Sequence, residues 1–120
     1  MKSVLLADDS AVVRATLREI FEQSGWKVCA EASDGQEAIL KAQRFQPDLI
    51  VLDLSMPVMN GLSAAHILKE VLPKTPLILF TSFADILSSD DLERIGFSAL
   101  VDKNDAGNLL TTARSLVEVG

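Results

Sequence analysis

The chain holds one cysteine, one histidine and no apolar run near the ~20 residues of a membrane span. Each shortage removes a class of function. Cys29 alone excludes an internal disulfide, and within Val28-Cys29-Ala30 it reads as a buried, inert thiol. One His and one Cys cannot build a zinc site of the usual His/Cys kind. A Ser-His-Asp triad would have to use His66, which sits mid-helix beside Lys69 and Glu70 and reads as a helix-surface residue. A basic excess is missing too. With 11 Lys and Arg against 17 Asp and Glu, the net charge is −6. That argues against nucleic-acid binding, because phosphate contact needs clustered cations. The start, Met1-Lys2-Ser3 and a short run broken by two acids, lacks the form of a signal peptide. No membrane association is expected, and the cytoplasm is the expected location.

What is present fits one domain over residues 1–120: 48% of residues are hydrophobic and 23% charged. Short apolar, partly β-branched runs near 2–7, 27–32, 48–53, 77–81 and 98–102 predict buried parallel strands. Helical patterns separate them. Ser10 can cap the first, with Val13, Leu17, Ile20 and Phe21 on one face and Gly25 at its end. Asp34 and Glu37 read as a capping box for the second, with Ala38, Ile39, Ala42 and Phe45 inward. The third starts near Asn60-Gly61 and carries Leu62, Ala65, Leu68, Val71 and Leu72 to Pro73. Ser88-Ser89-Asp90-Asp91 predicts a short fourth helix behind a long loop. The fifth, after Asn104-Asp105, repeats Leu109, Leu110, Ala113, Leu116 and Val117. The alternation predicts a doubly wound, flavodoxin-like α/β fold: five parallel strands in order 2-1-3-4-5, flanked by five helices.

Such a sheet gathers polar residues at its carboxyl edge, where ligands bind in open α/β folds. Asp8 and Asp9 follow the first run, Asp53 closes the third, Thr81 ends the fourth and Lys103 follows the fifth. Three crowded carboxylates repel one another, and a bound cation removes the repulsion. Oxygen donors without His or Cys suit Mg²⁺ or Mn²⁺, and no calcium-type acidic loop is present. Asp8 and Asp9 alone could simply cap the first helix; Asp53 and Lys103 at matching strand ends favour the metal. A carboxylate beside a divalent cation can attack phosphorus and become an aspartyl phosphate. The cation, the Lys103 ammonium, and the Thr81 hydroxyl with a backbone N–H would each take one equatorial oxygen.

Leu5-Leu6-Ala7-Asp8-Asp9-Ser10, Asp53-Leu54-Ser55-Met56-Pro57-Val58-Met59-Asn60-Gly61, Thr81-Ser82 and Lys103 together resemble the receiver domain of two-component response regulators. The resemblance covers essentially the whole chain. It implies that Asp53 accepts phosphate from a histidine kinase or a phosphotransfer protein. It further implies that Asp9, Asp53 and the Ser55 carbonyl ligate Mg²⁺, with Asp8 acting mainly through water. Thr81 would be the switch hydroxyl, Lys103 the phosphate-pairing cation, and small Ser82 would leave the acceptor accessible. Ser55 and Phe83 would flank the path of the attacking water. The expected outputs are a homodimer formed on phosphorylation, a separate effector or an attached output domain, with catalysis limited to the domain's own phosphorylation and dephosphorylation.

Two positions depart from the family pattern. Leu100 stands where an aromatic switch residue is common, and Asn104 follows Lys103 where Pro is common, so no cis peptide is expected there. The Lys-polar-Asp sequence resembles receivers attached to helix-turn-helix transcription factors. Two competing readings stay open. One is a phosphate-independent domain of the same fold. The other is a haloacid-dehalogenase-like phosphatase, although Ser10 and Ser55 stand where that family needs a second acid. The chain ends at Gly120, where a fifth helix should finish, so both a stand-alone regulator and a piece of a longer one remain open.

Overall fold

The computed structural model describes residues 1–117, apart from the side chain of Ile86. Five parallel strands form one sheet: β1 (Ser3–Ala7), β2 (Lys27–Ala32), β3 (Leu49–Leu52), β4 (Leu77–Thr81) and β5 (Ala99–Asp102). Their order is β2-β1-β3-β4-β5, as the alternation of runs predicts. Position explains composition. β3 and β4 are buried at every residue because helices cover both faces, and both read as unbroken apolar runs. β2 and β5 are the edges, and they carry half-buried or exposed residues as well as buried ones.

The helices are α1 (Ala11–Gln23), α2 (Gly35–Phe45), α3 (Gly61–Val71), α4 (Ser89–Ile95) and α5 (Gly107–Val117). Single 3₁₀ turns at Ala84–Ile86 and Lys103–Asp105 lead into α4 and α5. Alternate strand residues feed two cores. Leu5, Ala7, Ile50, Leu52, Leu77 and Leu79 pack with Ala38, Ala42, Ala65 and Leu68 beneath α2 and α3. Val4, Leu6, Leu49, Val51, Ile78 and Phe80 pack with Leu17, Phe21, Leu109 and Ala113 beneath α1 and α5. Phe21 meets Trp26 edge-on at 5.3 Å in this second core. Each fully buried Leu or Ile contributes about 1.5–3 kcal/mol, so these strands carry much of the stability.

The expected caps form at Ser10, Asp34, Asn60 and Ser88, each accepting from the backbone N–H three residues on. Four expectations need correction. The Glu37 carboxylate accepts from the Ser33 N–H at 3.0 Å, one residue ahead of the Asp34 cap, rather than from the Asp34 N–H. Phe45 is 45% exposed and Val71 39% exposed, not inward. Each is the last residue of its helix, past the amino edge of the sheet where the core ends; the Arg44 guanidinium lies over the Phe45 ring. Cys29 is half-buried on edge strand β2, its sulfur 3.5 Å from the Val4 carbonyl. Burial raises its thiol pKa, which keeps the group inert. His66 lies on the surface beside Glu70, as read from the sequence. No cis peptide occurs among the described residues, and none of their helices is long and apolar enough to cross a membrane.

Candidate functional site

β1 and β3 are neighbours, and their register pairs Ala7 with Leu52. The next residues, Asp8 and Asp53, therefore emerge side by side. The Asp53 N–H continues the ladder to the Ala7 carbonyl at 2.9 Å, and the Asp8 N–H reaches Ala32 on the other flank at 3.0 Å. Both side chains are almost fully buried. With exposed Asp9, each offers a carboxylate oxygen within 4.8 Å of the others.

The Asp8 carboxylate accepts from the Ser10 N–H at 2.9 Å and from the Lys103 ammonium at 2.7 Å. Lys103 also stands 3.4 Å from the Asp53 carboxylate. The β4–β5 register pairs Thr81 with Asp102, which delivers Lys103 to the edge from one residue beyond β5. Burial and then Asp8 push the Asp53 carboxyl above its ordinary range, with Lys103 opposing them. Burial pulls the Lys103 ammonium down, but its bond to Asp8 and the Asp53 charge outweigh that and raise it. One ammonium among three carboxylates leaves an excess of negative charge on oxygen-only donors. That donor set fits a hard divalent cation such as Mg²⁺ or Mn²⁺.

Thr81 is wholly buried at the end of β4, and its hydroxyl accepts from the Phe83 N–H at 3.0 Å. Ser82 is exposed beside it. Ser55 and Phe83 line one open hollow of about 320 Å³ with Leu54 and Asn60. Leu100 turns away from the site, packed on the α2–α3 core and lining a groove of about 640 Å³ along α4 with Leu87, Leu92 and Phe97.

The β3–α3 loop is held tightly under Asp53. The Gly61 N–H bonds the Leu54 carbonyl at 2.9 Å, and any Cβ at Gly61 would overlap the Asp53 carbonyl oxygen. Val58 in this loop takes a left-handed φ of 65°, a strained choice for a β-branched residue. The sequence reading overlooked Arg14 and Glu31. The Arg14 guanidinium donates to the Asp8 carbonyl at 2.6 Å and to the Glu31 carboxylate at 3.0 Å. The only sequence signal was a cation one turn into α1, which on most helices is a solvated side chain.

A doubly wound sheet with a buried acid pair, a lysine and a strand-end threonine at its carboxyl edge defines a class of phosphoryl-handling domains. The chain belongs to the response regulator receiver domain family, whose model matches residues 4–114. It is 36% identical over a 129-residue alignment to a protein-glutamate methylesterase/protein-glutamine glutaminase of Hahella chejuensis, covering 97% of this chain and 37% of that protein. It is also 36% identical to the chemotaxis protein CheY of Thermotoga maritima over 78 residues, 65% of each chain. The response regulator domain of Thermotoga maritima CheB superposes with a TM-score of 0.90 at 28% identity, covering 100% of this chain and 98% of that one. CheY from the CheX–CheY–BeF₃–Mg²⁺ complex of Borrelia burgdorferi gives 0.92 at 26% identity, covering 99% and 90%. The chain spans about a third of the length of the methylesterases it matches, and the activity in their names is theirs. It is a two-component receiver that takes up a phosphoryl group, which sets aside the phosphatase reading.

Proposed function

We propose that Asp53 is the phosphoryl acceptor and that a phosphohistidine on a sensor kinase or phosphotransfer protein is the donor. Asp9, Asp53 and the Ser55 carbonyl would hold Mg²⁺ or Mn²⁺, with Asp8 reaching it through water. When bound, the cation supplies neutralisation of the clustered carboxylates and of charge on the phosphoryl oxygens. The observation that carries this reading is the Lys103 ammonium lodged between Asp8 and Asp53 in a buried acid cluster.

In the transfer, an Asp53 oxygen forms the new O–P bond as the donor's N–P bond breaks. The imidazole nitrogen keeps the electron pair of the broken bond. Lys103 opposes the pull of burial and Asp8 toward protonation of the Asp53 carboxylate. An ammonium has three donors, so Lys103 can hold Asp8 and still take a phosphoryl oxygen. The Thr81 hydroxyl already accepts from Phe83 and has its own proton free for another oxygen. Signal output would pass through a homodimer, a separate effector or an attached output domain.

The test is intact mass after incubation with a small-molecule phosphodonor and Mg²⁺. The chain should gain one phosphate, and Asp53→Asn should gain none while staying folded. Modification of that variant at the wild-type rate would show that another carboxylate is the acceptor.

A further inference from the structure

The three carboxylates of the cluster are anchored unequally. Asp8 is held by the Ser10 N–H and by Lys103, and Asp53 by the sheet ladder and Lys103. Asp9 is exposed, and no described donor reaches its carboxylate. Its position therefore comes from its backbone. The Asp8–Asp9 peptide is planar, so whatever holds the Asp8 carbonyl sets the plane from which the Asp9 Cα departs.

Arg14 holds that carbonyl. Its Nη1 donates to the Asp8 oxygen at 2.6 Å while its Nε donates to Glu31 at 3.0 Å. Glu31 is braced in turn. Its carboxylate takes a second ion pair from Arg18 at 2.8 Å, and its backbone carbonyl accepts from the Lys41 ammonium at 2.6 Å. A planar guanidinium can hold a carbonyl and a carboxylate at once; a lysine ammonium on a flexible stem has no such fork. The chain of contacts runs from β2 through α1 to the one acid that nothing else steadies.

We infer that Arg14, braced by Glu31, is a positioning residue for divalent-cation binding: it locks the Asp8–Asp9 peptide and so aims the Asp9 carboxylate into the cluster. This rests on the reading of the cluster as a cation site. Arg14 itself lies outside the cluster, bonded to the Asp8 carbonyl and to Glu31. Groups that orient ligands in this way typically change metal affinity by about 10–100-fold when altered.

Calorimetric titration of the folded chain with Mg²⁺ tests it, beside melts in EDTA. Arg14→Lys keeps the charge and loses the fork, and should weaken Mg²⁺ about tenfold. Glu31→Gln removes the brace but leaves the carbonyl bond, and should weaken it less. Arg18→Ala removes only the outer brace on Glu31 and leaves both Arg14 bonds, so it should weaken Mg²⁺ least of the three even where the EDTA melt falls. Wild-type affinity in Arg14→Lys would overturn the role while leaving the cation site standing, as would an equal loss in Arg18→Ala. A wild-type chain that binds no Mg²⁺ would remove the site and the role together. Should Arg14→Lys fail to fold, undiminished affinity in Glu31→Gln decides against the role.

Discussion

Asp53 and Glu31 titrate with opposite consequences. Burial and Asp8 raise the Asp53 carboxyl in the folded state. Its contribution to stability is therefore full below the unfolded value of about 3.9 and is lost as pH rises through the raised folded value. For Glu31, burial pushes the carboxyl up, but Arg18 and Arg14 outweigh it and lower it. That contribution is present above the unfolded value of about 4.3 and fades as pH falls through the folded value. In EDTA, Asp53→Asn should thus be more stable than wild type near neutral pH, with a higher melting temperature. The gap should close toward roughly pH 3, where wild-type Asp53 is itself protonated. Melts at both pH values check this, and a constant gap would contradict it. Phe83 carries a second expectation. It shares a hollow with Ser55, and neither side chain is an acid or amide that could hold an attacking water. The phosphorylated state should be long-lived, and Phe83→Glu or Phe83→Asn should shorten it about tenfold, less than a dedicated general base contributes. An unchanged or longer lifetime in a mass-based decay series would count against it.

Among the elements, α4 is the most loosely held. It has seven residues, none of them buried, and is closed by a Ser88–Asp91 capping box and by Gly96 at φ 115°. Its contacts come from half-buried Leu92 and Ile95 over an open groove. Short helices depend on packing for their order, so this one is poised to shift. Leu100, already turned into that groove, supplies no ring for Thr81 to move. Pulling the Thr81 hydroxyl toward a phosphoryl group would instead loosen its bond to the Phe83 N–H and re-form the loop ahead of α4. With beryllofluoride as a stable phosphoryl mimic, the largest amide NMR shifts remote from Asp53 should fall between Ser82 and Ile95. Shifts concentrated on α1 or α2 would mean that the signal leaves by another route.

Across the whole molecule, the acid cluster should couple cation binding to folding, because the unfolded chain has no such site. At 100 times its dissociation constant, Mg²⁺ should add about 2.7 kcal/mol, or roughly 10 °C in Tm for a domain of this size. Asp9→Asn should raise the melting temperature in EDTA, by relieving repulsion, and abolish the response to Mg²⁺. Melts with EDTA and with Mg²⁺ decide it; identical wild-type midpoints would contradict a metal site.

Much of this was legible in one dimension. Apolar runs at Leu49–Leu52 and Leu77–Phe80, too short for helices, read as strands buried on both faces, and Ser10, Asp34, Asn60 and Ser88 mark helix starts by local hydrogen bonding. Alternation in a chain of five strands favours the order that the sheet takes, and with it the edge where Asp8, Asp53, Thr81 and Lys103 meet. Tertiary structure decided the rest. Phe45 and Val71 fit the apolar period of their helices, yet lie outside because the sheet ends before the helices do. Whether Arg14 is a solvated cation or a bracket on Asp8 depends on Glu31, 17 residues away on β2, and no local pattern records that distance. Periodicity and caps are properties of neighbours along the chain. Burial at an element's end and bonds between elements exist only once the layers have closed.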